Sequence, residues 1–378
     1  MIKYKKLEVY YNSSCVGTLA IMKDGRIAFA YDDEWLLHGF SISPFSLPLE
    51  SGVFEPKSYE PFDGLFGVFY DSLPDGWGRL LVDRLLQSKG ENPNEITSLD
   101  RLAIVGESGM GALSYKPIYE LHKESEIIDF DYLANECKKI LNDEKSGTLD
   151  ELFFLGGSSG GARPKILTKI HNEDWIIKFP SAMDHVNIGE MEYSYNKCAR
   201  ACGLNIPSFQ LFASKQCSGY FGVQRFDRMK DSHTNEVKKL HMISVSALLE
   251  TSHRVPSLDY TILMKLTMML TNNHEELIKM YRLMCFNVFG HNRDDHSNNF
   301  SFIYDDTIRT WILSPAYDLT YSYSIGGGHA TSVHGNGKNP DINELLEVAL
   351  EAGIDKGKAL IIIKQMKETI KRMLKEYL

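Results

Sequence analysis

The alternation of hydrophobic and polar residues predicts three short strands near the N-terminus, at residues 7–11, 16–22 and 26–31. The turn Lys23-Asp24-Gly25 between the last two is typical of a β-hairpin. Residues 60–89 then show helical spacing of apolar side chains, with a break at Leu73-Pro74-Asp75-Gly76. Residues 1–117 are therefore predicted to form a compact α+β domain.

The rest of the chain changes from a mixed pattern to a mostly helical one. A helical, acidic stretch at 118–145 precedes predicted strands at 166–170 and 175–179, a helix at 190–202, and strands at 209–213 and 220–226. After about residue 240 helical spacing dominates; a hairpin signal at Asp305-Asp306 and a glycine-rich stretch at 325–339 interrupt it. This order predicts a two-lobed α+β enzyme with a cleft between its lobes.

Composition and charge narrow the classes of function. The 378 residues are 43% hydrophobic, which is enough to bury a core, and the net charge of −9 argues against a chain that clamps nucleic acid over its whole surface. The six cysteines include no C-x-x-C pair, and Cys198 and Cys202 are predicted to be core thiols, as suits a reducing cytosol. No signal peptide or long apolar run is present, so we expect a cytoplasmic protein without a membrane segment.

The glycine-rich stretch Gly156 to Gly161 is a candidate anion site, because glycines let backbone N–H groups approach a phosphate closely. It is not a Walker A loop, since Ala162 stands where the lysine would follow. Taken alone, the stretch is more typical of a mobile surface loop than of an anion site.

Lys178 interrupts a predicted apolar strand, where an unpaired charge is costly. Kinases place a lysine on such a strand to hold ATP phosphates and to pair with a glutamate of the next helix. Glu190 and Glu192 lie near the start of the next predicted helix. The alternative is an edge-strand lysine that faces solvent.

The run from His291 to Phe300 carries the clearest signal. Asp294 and Asn299 are five positions apart, the spacing of the kinase catalytic loop, in which the Asp accepts the substrate hydroxyl proton and the Asn binds Mg²⁺. Asp318 follows the predicted hairpin, where a second magnesium-binding carboxylate belongs.

Two other interpretations of this run remain open. His291, Asp294, Asp295 and His296 include residue types that ligate transition metals, which would indicate a metallohydrolase. A polar loop that caps neighbouring helices would also use Asp and Asn. Neither interpretation explains the order of the motifs, which is the order found in kinases: the glycine-rich stretch, Lys178, Asp294, Asn299 and Asp318.

Taken together, these motifs resemble the HipA-type kinase toxins of bacterial toxin–antitoxin systems over nearly the whole chain. The matching segments are Phe45-Ser46-Leu47-Pro48-Leu49, Ser72-Leu73-Pro74-Asp75, residues 158–165, Ile177-Lys178-Phe179-Pro180, Glu192-Tyr193, Arg225-Phe226-Asp227-Arg228, residues 294–300 and Tyr317-Asp318. The resemblance implies a two-lobed, protein-kinase-like α+β fold with a HipA N-terminal subdomain (1–117), a β-rich ATP-binding N-lobe (118–226) and an all-helical catalytic C-lobe (227–378).

The resemblance also implies roles for particular residues. Asp294 and Lys178 would be catalytic, Asn299 and Asp318 would bind Mg²⁺, and Ser158, with Ser159 as second candidate, would be autophosphorylated and so switch the enzyme off. The residues implied to contact ATP are Gly160, Gly161, Ala162, Arg163, Lys165, Lys178, Gln224, Arg225, Phe226, His296, Asn299, Tyr317 and Asp318.

The implied activity is transfer of the ATP γ-phosphoryl group to a protein serine, on an aminoacyl-tRNA synthetase such as the glutamyl enzyme. The implied partner is a HipB-like DNA-binding antitoxin, which would connect the chain to DNA. The basic C-terminal helix (356–378) is either a face exposed to solvent or a surface that contacts DNA phosphates. Gln224 and Pro164 depart from the family pattern. An aminoglycoside-kinase-like small-molecule phosphotransferase and an antitoxin-binding pseudokinase scaffold are the alternatives.

Overall fold

The computed structural model describes residues 4–119, 129–181, 184–230, 237–323 and 326–378. The chain divides into two compact units. The first comprises Met1–Val186 and Phe212–Thr251, and the second comprises Asn187–Leu211 and Ser252–Leu378. The predicted domain boundaries at 117 and 226 both fall inside the first unit, so the three-part division stays a prediction.

Strands and helices are interspersed along the chain. The strands are β1 (Lys6–Tyr11), β2 (Ser14–Ile21), β3 (Ile27–Tyr31), β4 (Leu113–Lys116), β5 (Lys165–Ile170), β6 (Glu173–Lys178), β7 (Phe209–Phe212), β8 (Tyr220–Gln224), β9 (Arg228–Lys230), β10 (Val237–Lys239), β11 (Met242–Ser244), β12 (Leu258–Asp259), β13 (Ser301–Asp305), β14 (Thr310–Leu313) and β15 (Thr331–Ser332). The α-helices are α1 (Asp33–His38), α2 (Gly67–Tyr70), α3 (Gly76–Ser88), α4 (Ser98–Val105), α5 (Phe130–Leu141), α6 (Leu149–Gly156), α7 (Ile188–Ala201), α8 (Val245–Leu248), α9 (Tyr260–Thr271), α10 (His274–Phe289), α11 (Ile342–Glu351) and α12 (Lys356–Met373).

An antiparallel sheet of order β3-β2-β1-β4 opens the first unit. In β1 the buried residues Leu7, Val9 and Tyr11 alternate with exposed or half-buried ones, because successive side chains of a strand point to opposite faces. The three predicted strands and their hairpin are confirmed. β4 was not predicted from the sequence; it pairs with β1 across more than 100 intervening residues.

The predicted helical stretch 60–89 is confirmed in part, as α2 and α3. The break between them ends at Gly76, whose φ of +41° is a backbone conformation that glycine tolerates. The next helix, α4, begins with a capping box formed by Thr97 and Asp100.

A second antiparallel sheet of the first unit contains β5, β6 and β8. α3, α5 and α6 contribute to the apolar core that covers it, which includes Trp77, Leu133, Leu152, Ile177 and Phe179. The predicted strands at 166–170, 175–179 and 220–226 are confirmed to within two residues. Of the acidic helix predicted at 118–145, residues 120–128 lie outside the described residues, and α5 accounts for much of the remainder.

The second unit is mainly helical, with α7, α9, α10, α11 and α12. The prediction of an all-helical C-lobe is wrong in one respect, because the unit also contains the antiparallel hairpin β13–β14 and a short parallel pair, β12 with β15. Aromatic and β-branched residues such as Phe302, Ile303 and Trp311 favour strands, which is why the hairpin forms. The hairpin predicted around Asp305 is thus confirmed.

The cysteines behave as predicted. All six are free thiols, and Cys198 and Cys202 are buried on the inner face and at the end of α7. Among the described residues, no helix combines the length and apolar character that crossing a membrane requires.

Candidate functional site

The glycine-rich loop, residues 156–165, connects α6 to β5 and is packed against the start of α3. The Trp77 N–H donates to the Gly161 carbonyl at 3.0 Å, and the Gly161 N–H donates to Asp75 Oδ1. Gly161 has a φ of +86°, a conformation that L side chains rarely adopt. The loop is therefore docked, and the interpretation as a mobile surface loop loses its support.

Ser158 and Ser159 are both buried, at 6% and 2% exposure. Ser158 Oγ donates to the Ser108 carbonyl at 3.0 Å, and Ser159 Oγ donates to the Gly156 carbonyl at 2.6 Å. Gly160 and Ala162, by contrast, are exposed. Phosphorylation of either serine therefore requires the loop to leave this position.

Lys165 and Lys178 lie directly opposite each other on β5 and β6. Cross-strand neighbours in an antiparallel pair project on the same face, so both ammonium groups belong to one side of the sheet. Lys165 Nζ donates to the Gly160 carbonyl, and Lys178 Nζ lies 5.9 Å from the centre of the Phe221 ring. Two cations are thus held beside the glycine-rich loop, as an anion site requires.

Arg163 forms an ion pair with Asp184, with Nε at 3.1 Å and Nη2 at 3.2 Å from its carboxylate oxygens. Burial acts to raise the pKa of Asp184, but the Ser181 N–H and the Arg163 guanidinium outweigh it and hold the pKa below its usual value. Arg163 is therefore committed to holding Asp184 in this state of the protein.

Three of the residues implied to contact ATP, Gln224 to Phe226, lie at the end of β8 and directly after it. Gln224 pairs with Trp175, and the Arg225 N–H donates to the Asp174 carbonyl at 2.8 Å. The Arg225 guanidinium is buried and bonds Asp227 at 2.7 and 2.9 Å. Its assignment to ATP stays a prediction, since this side chain holds protein groups.

The run from Asp294 to Asn299 forms a closed turn in the second unit. Asn299 Nδ2 donates to the Asp294 carbonyl at 2.6 Å, and the Asn299 N–H donates to the His296 carbonyl at 2.8 Å. The Asp294 side chain remains 67% exposed. The five-residue spacing thus places an outward carboxylate and an amide oxygen on one rigid turn.

Asp295, the next residue, points inward and is fully buried. It accepts hydrogen bonds from Tyr260 Oη at 2.8 Å, His329 Nδ1 at 3.0 Å, and the N–H groups of Ala330 and Thr331 at 2.9 and 3.2 Å. Burial and the Asp295 charge raise the pKa of Tyr260. Asp295 therefore anchors the turn to residues 329–331.

The transition-metal interpretation finds no support. Within the ranges that the structure describes, no group of three or more His, Cys, Asp or Glu side chains is arranged to hold a metal ion. The Asp295 carboxylate, one of the four proposed ligands, already accepts from protein donors with both oxygens.

Tyr317 joins the second predicted magnesium ligand to the turn. Its hydroxyl donates to the Asn298 carbonyl at 2.6 Å, so the residue directly before Asp318 is bound to the turn. Asp318 is exposed and has a φ of +55°, and such backbone strain in a non-glycine residue is found preferentially at functional sites.

His253 belongs to the same cluster and was missed in the sequence. Its ring centre lies 5.4 Å from that of His296, and its Nδ1 lies 3.2 Å from Asn298 Nδ2. His296 Nε2 lies 3.9 Å from Asp294 Oδ1. His253 stands about 40 residues before the turn, and no local motif marks it.

Each unit taken by itself carries groups of a kind that bind a nucleotide or Mg²⁺. In the first unit, Lys165 and Lys178 supply positive charge beside the glycine-rich loop. In the second, Asn299 donates through Nδ2, so its amide oxygen is the potential ligand, and Asp318 adds a carboxylate. Magnesium prefers such hard oxygen ligands. Of the two predicted glutamates of α7, Glu192 is buried and Glu190 is exposed.

Comparison with known proteins identifies the family of this chain. Residues 7–116 match the model of the HipA N-terminal domain, and residues 157–374, more than half of the chain, match that of the HipA-like C-terminal domain. The chain belongs to the HipA family. Among solved structures, it is similar to HipA in a complex of Shewanella oneidensis HipA, HipB and operator DNA, with a TM-score of 0.72 and 19% identity over 98% of this chain and 90% of that one. This likeness confirms the kinase-like α+β fold.

Two proteins of Sinorhizobium fredii that are named as kinases are also similar to this HipA-family chain. Y4dM is 23% identical over 98% of this chain and 91% of its own length. Y4mE is 26% identical over 83% of this chain and 76% of its own length.

Proposed function

We propose that this HipA-family protein is a serine/threonine protein kinase toxin that transfers the γ-phosphoryl group of ATP to a serine of a target protein. The observation that carries the proposal is the closed turn 294–299, with its exposed Asp294 carboxylate and with Tyr317, the residue before Asp318, bound to it. The kinase names of the two Sinorhizobium relatives support the same activity.

Asp294 is the proposed catalytic base. Its carboxylate is exposed to an incoming hydroxyl, and it would accept the proton that the serine loses as its oxygen attacks phosphorus. The Asn299 side chain holds the turn closed and so fixes the position of the base. Asn299 and Asp318 would hold Mg²⁺, which when bound neutralises charge on the phosphates.

Lys178 and Lys165 are the proposed phosphate contacts, because they are paired on one face of the sheet beside the glycine-rich loop. Gly160, Gly161 and Ala162 would add backbone contacts. Gln224, Phe226, His296 and Tyr317 are proposed nucleotide contacts on the family resemblance. Arg163 and Arg225 would have to give up their bonds to Asp184 and Asp227 to take the same role with their side chains.

Ser158 is the proposed site of self-phosphorylation, with Ser159 as the second candidate. A phosphate adds close to two negative charges. At a position only 6% exposed, that charge cannot be buried again without a cationic partner, so the modified loop would stay out of its docked position. The displaced loop could not help to bind ATP, and the kinase would be switched off.

The proposed partner is a HipB-like DNA-binding antitoxin, since the structurally similar HipA was solved with HipB and its operator DNA. The proposed substrate is an aminoacyl-tRNA synthetase such as the glutamyl enzyme, in line with the resemblance. We further propose that its phosphorylation slows translation in the cytoplasm.

Phosphosite mass spectrometry after incubation with Mg-ATP tests the proposal, with purified glutamyl-tRNA synthetase present as the external substrate. We expect phosphate on Ser158 and on a serine of the synthetase with the wild type, and on neither with Asp294→Ala. Phosphate on an aminoglycoside or sugar, but on no protein, would replace the proposal with a small-molecule kinase. Failure to bind Mg-ATP in a thermal-shift assay would leave the scaffold alternative.

A further inference from the structure

Helix α3 begins in an unusual way. Asp75 is its N-cap residue, yet its side chain accepts no hydrogen bond from the first turn of its own helix. An N-cap aspartate ordinarily accepts from the N–H of the second or third helical residue. Here the carboxylate instead accepts from the Gly161 N–H of the glycine-rich loop.

The hydrogen bonding between helix α3 and the loop runs in both directions. The Trp77 N–H, one of the helical donors that a cap would satisfy, donates to the Gly161 carbonyl at 3.0 Å. The loop and the helix therefore cap each other through a single residue, Gly161. The Trp77 indole N–H adds a bond to the Lys165 carbonyl at 3.1 Å.

The start of α3 is also shaped to receive the loop. A Cβ atom added at Gly78 would lie 2.2 Å from the Ser159 carbonyl oxygen, and one added at Gly76 would lie 2.5 Å from the Gly161 carbonyl oxygen. Backbone atoms cannot approach a side chain so closely. The docked position of the loop thus requires glycine at these positions and an acceptor at Asp75.

We propose that Asp75 is a positioning residue that holds the glycine-rich loop docked with Ser158 buried, and so limits the rate at which Ser158 becomes available for phosphorylation. The bond from Gly161 to the carboxylate is charge-assisted and therefore among the stronger of the loop's contacts. The first part of the proposal concerns the loop alone, and the second rests on the proposed kinase function.

Hydrogen–deuterium exchange of the loop in the absence of nucleotide tests the first part. In Asp75→Ala we expect the amides of residues 157–163 to exchange about tenfold faster than in the wild type, the factor that corresponds to about 1.4 kcal/mol. Asp75→Asn keeps a neutral acceptor and should fall between the two. The matched control is Asp32→Ala, which removes an aspartate that caps its own helix α1 in the same unit and should leave loop exchange unchanged.

Gly78→Ala is an independent, steric test. Alanine forms helices better than glycine, so this change favours α3 while its methyl group displaces the Ser159 carbonyl. Faster loop exchange in this variant could not come from a weaker helix propensity. Unchanged exchange in both Asp75→Ala and Gly78→Ala would overturn the proposal.

The initial rate of Ser158 phosphorylation with Mg-ATP tests the second part. We expect the rate to rise several-fold in Asp75→Ala and to be partly restored in Asp75→Asn. Faster loop exchange without a faster rate would contradict the regulatory role of Asp75. Faster exchange with no phosphate on Ser158 in any of the proteins, wild type included, would support Asp75 as the residue that docks the loop and would contradict the proposed self-phosphorylation.

Discussion

Asp294 and Asp295 are neighbours in the chain with opposite surroundings. The Asp294 carboxylate faces solvent beside the closed turn, whereas Asp295 is fully buried and accepts from two side chains and two backbone N–H groups. An exposed carboxylate can receive a proton from an incoming substrate. A buried one whose oxygens already accept four hydrogen bonds cannot, so the two acids differ in role.

Matched asparagine substitutions separate these two roles. Asp294→Asn should abolish phosphoryl transfer and change the free energy of unfolding by no more than about 0.5 kcal/mol, as for most exposed positions. Asp295→Asn should lower that free energy by about 1–3 kcal/mol, because an amide N–H₂ would replace an oxygen that faces buried donors. Urea denaturation measures both, and an Asp295→Asn protein as stable as the wild type would contradict the structural role.

Ionic contacts join separate elements of the first unit. Asp227 is fully buried between Arg225 and Arg228, at 2.7 and 2.8 Å, and also accepts from the Gly111 N–H at 2.7 Å. Both arginines donate to the Gly109 carbonyl. The segment after β8 is thereby fixed to the loop that contains Ser108, which contacts Ser158.

Asp227→Ala should destabilise the protein by about 3–5 kcal/mol, because it leaves two buried guanidinium groups without their counter-ion. The control is Asp184→Ala, which breaks a more exposed ion pair with Arg163 and should cost no more than about 1 kcal/mol. Chemical denaturation compares the two. A similar loss of unfolding free energy in both variants would show that burial of the Asp227 ion pairs adds nothing to stability.

A half-buried carboxylate also links α2 to α8. Asp71, at the end of α2, accepts from the N–H of Ser244 at 2.6 Å and from its Oγ at 2.8 Å, and Ser244 in turn caps α8. Burial, with a smaller contribution from the Glu250 charge, raises the pKa of Asp71 to about 7. The folded state therefore holds this proton more tightly than the unfolded state does.

This raised pKa gives stability a definite pH dependence. Between about pH 4 and pH 7 the folded protein binds more protons at Asp71 than the unfolded chain, so the contribution of Asp71 to the free energy of unfolding falls as pH rises and levels off above pH 7. Asp71→Asn should remove that contribution. The measurement is the difference in urea midpoint between wild type and variant from pH 5 to 8, and a difference that does not change with pH would refute the assignment.

Charge is distributed unevenly over the whole molecule. The net charge is −9, yet seven basic side chains of the C-terminal helix region are exposed: Lys356, Lys358, Lys364, Lys367, Lys371, Arg372 and Lys375. Their exposure agrees with the prediction of a solvated face. A contact of this face with DNA phosphate groups stays a prediction.

The purified chain alone should not bind duplex DNA measurably at about 0.15 M salt, because overall negative charge opposes the phosphate neutralisation on which non-specific binding depends. Fluorescence anisotropy with labelled DNA measures this binding. When a HipB-like antitoxin is added, we expect the complex to bind the DNA. A Lys364→Glu/Lys371→Glu double variant reports whether the basic face contributes within the complex. Tight binding by the chain alone would contradict the expectation that DNA is met through the antitoxin.

The sequence by itself determined the features that depend on local pattern. Period-two alternation and the Lys23-Asp24-Gly25 turn located β1, β2 and β3, and helical spacing located α3, α7 and α12. The order of the motifs identified the HipA family, which the family models then confirmed. These signals lie within a few residues of one another or keep their order along the chain, so no knowledge of folding was needed.

Only the tertiary structure decided which of the marked residues face solvent and which hold the fold. Asp75 contacts Gly161 across 86 positions, Ser158 contacts Ser108 across 50, and Arg225 contacts Gly109 across 116. The sequence pattern likewise could not show that Asp294 is the exposed carboxylate and Asp295 the buried one that anchors the turn. The hydrogen-bond donors that fix Asp295 lie about 35 residues away on either side. Such contacts depend on how distant segments pack, and that packing leaves no periodic trace in the sequence.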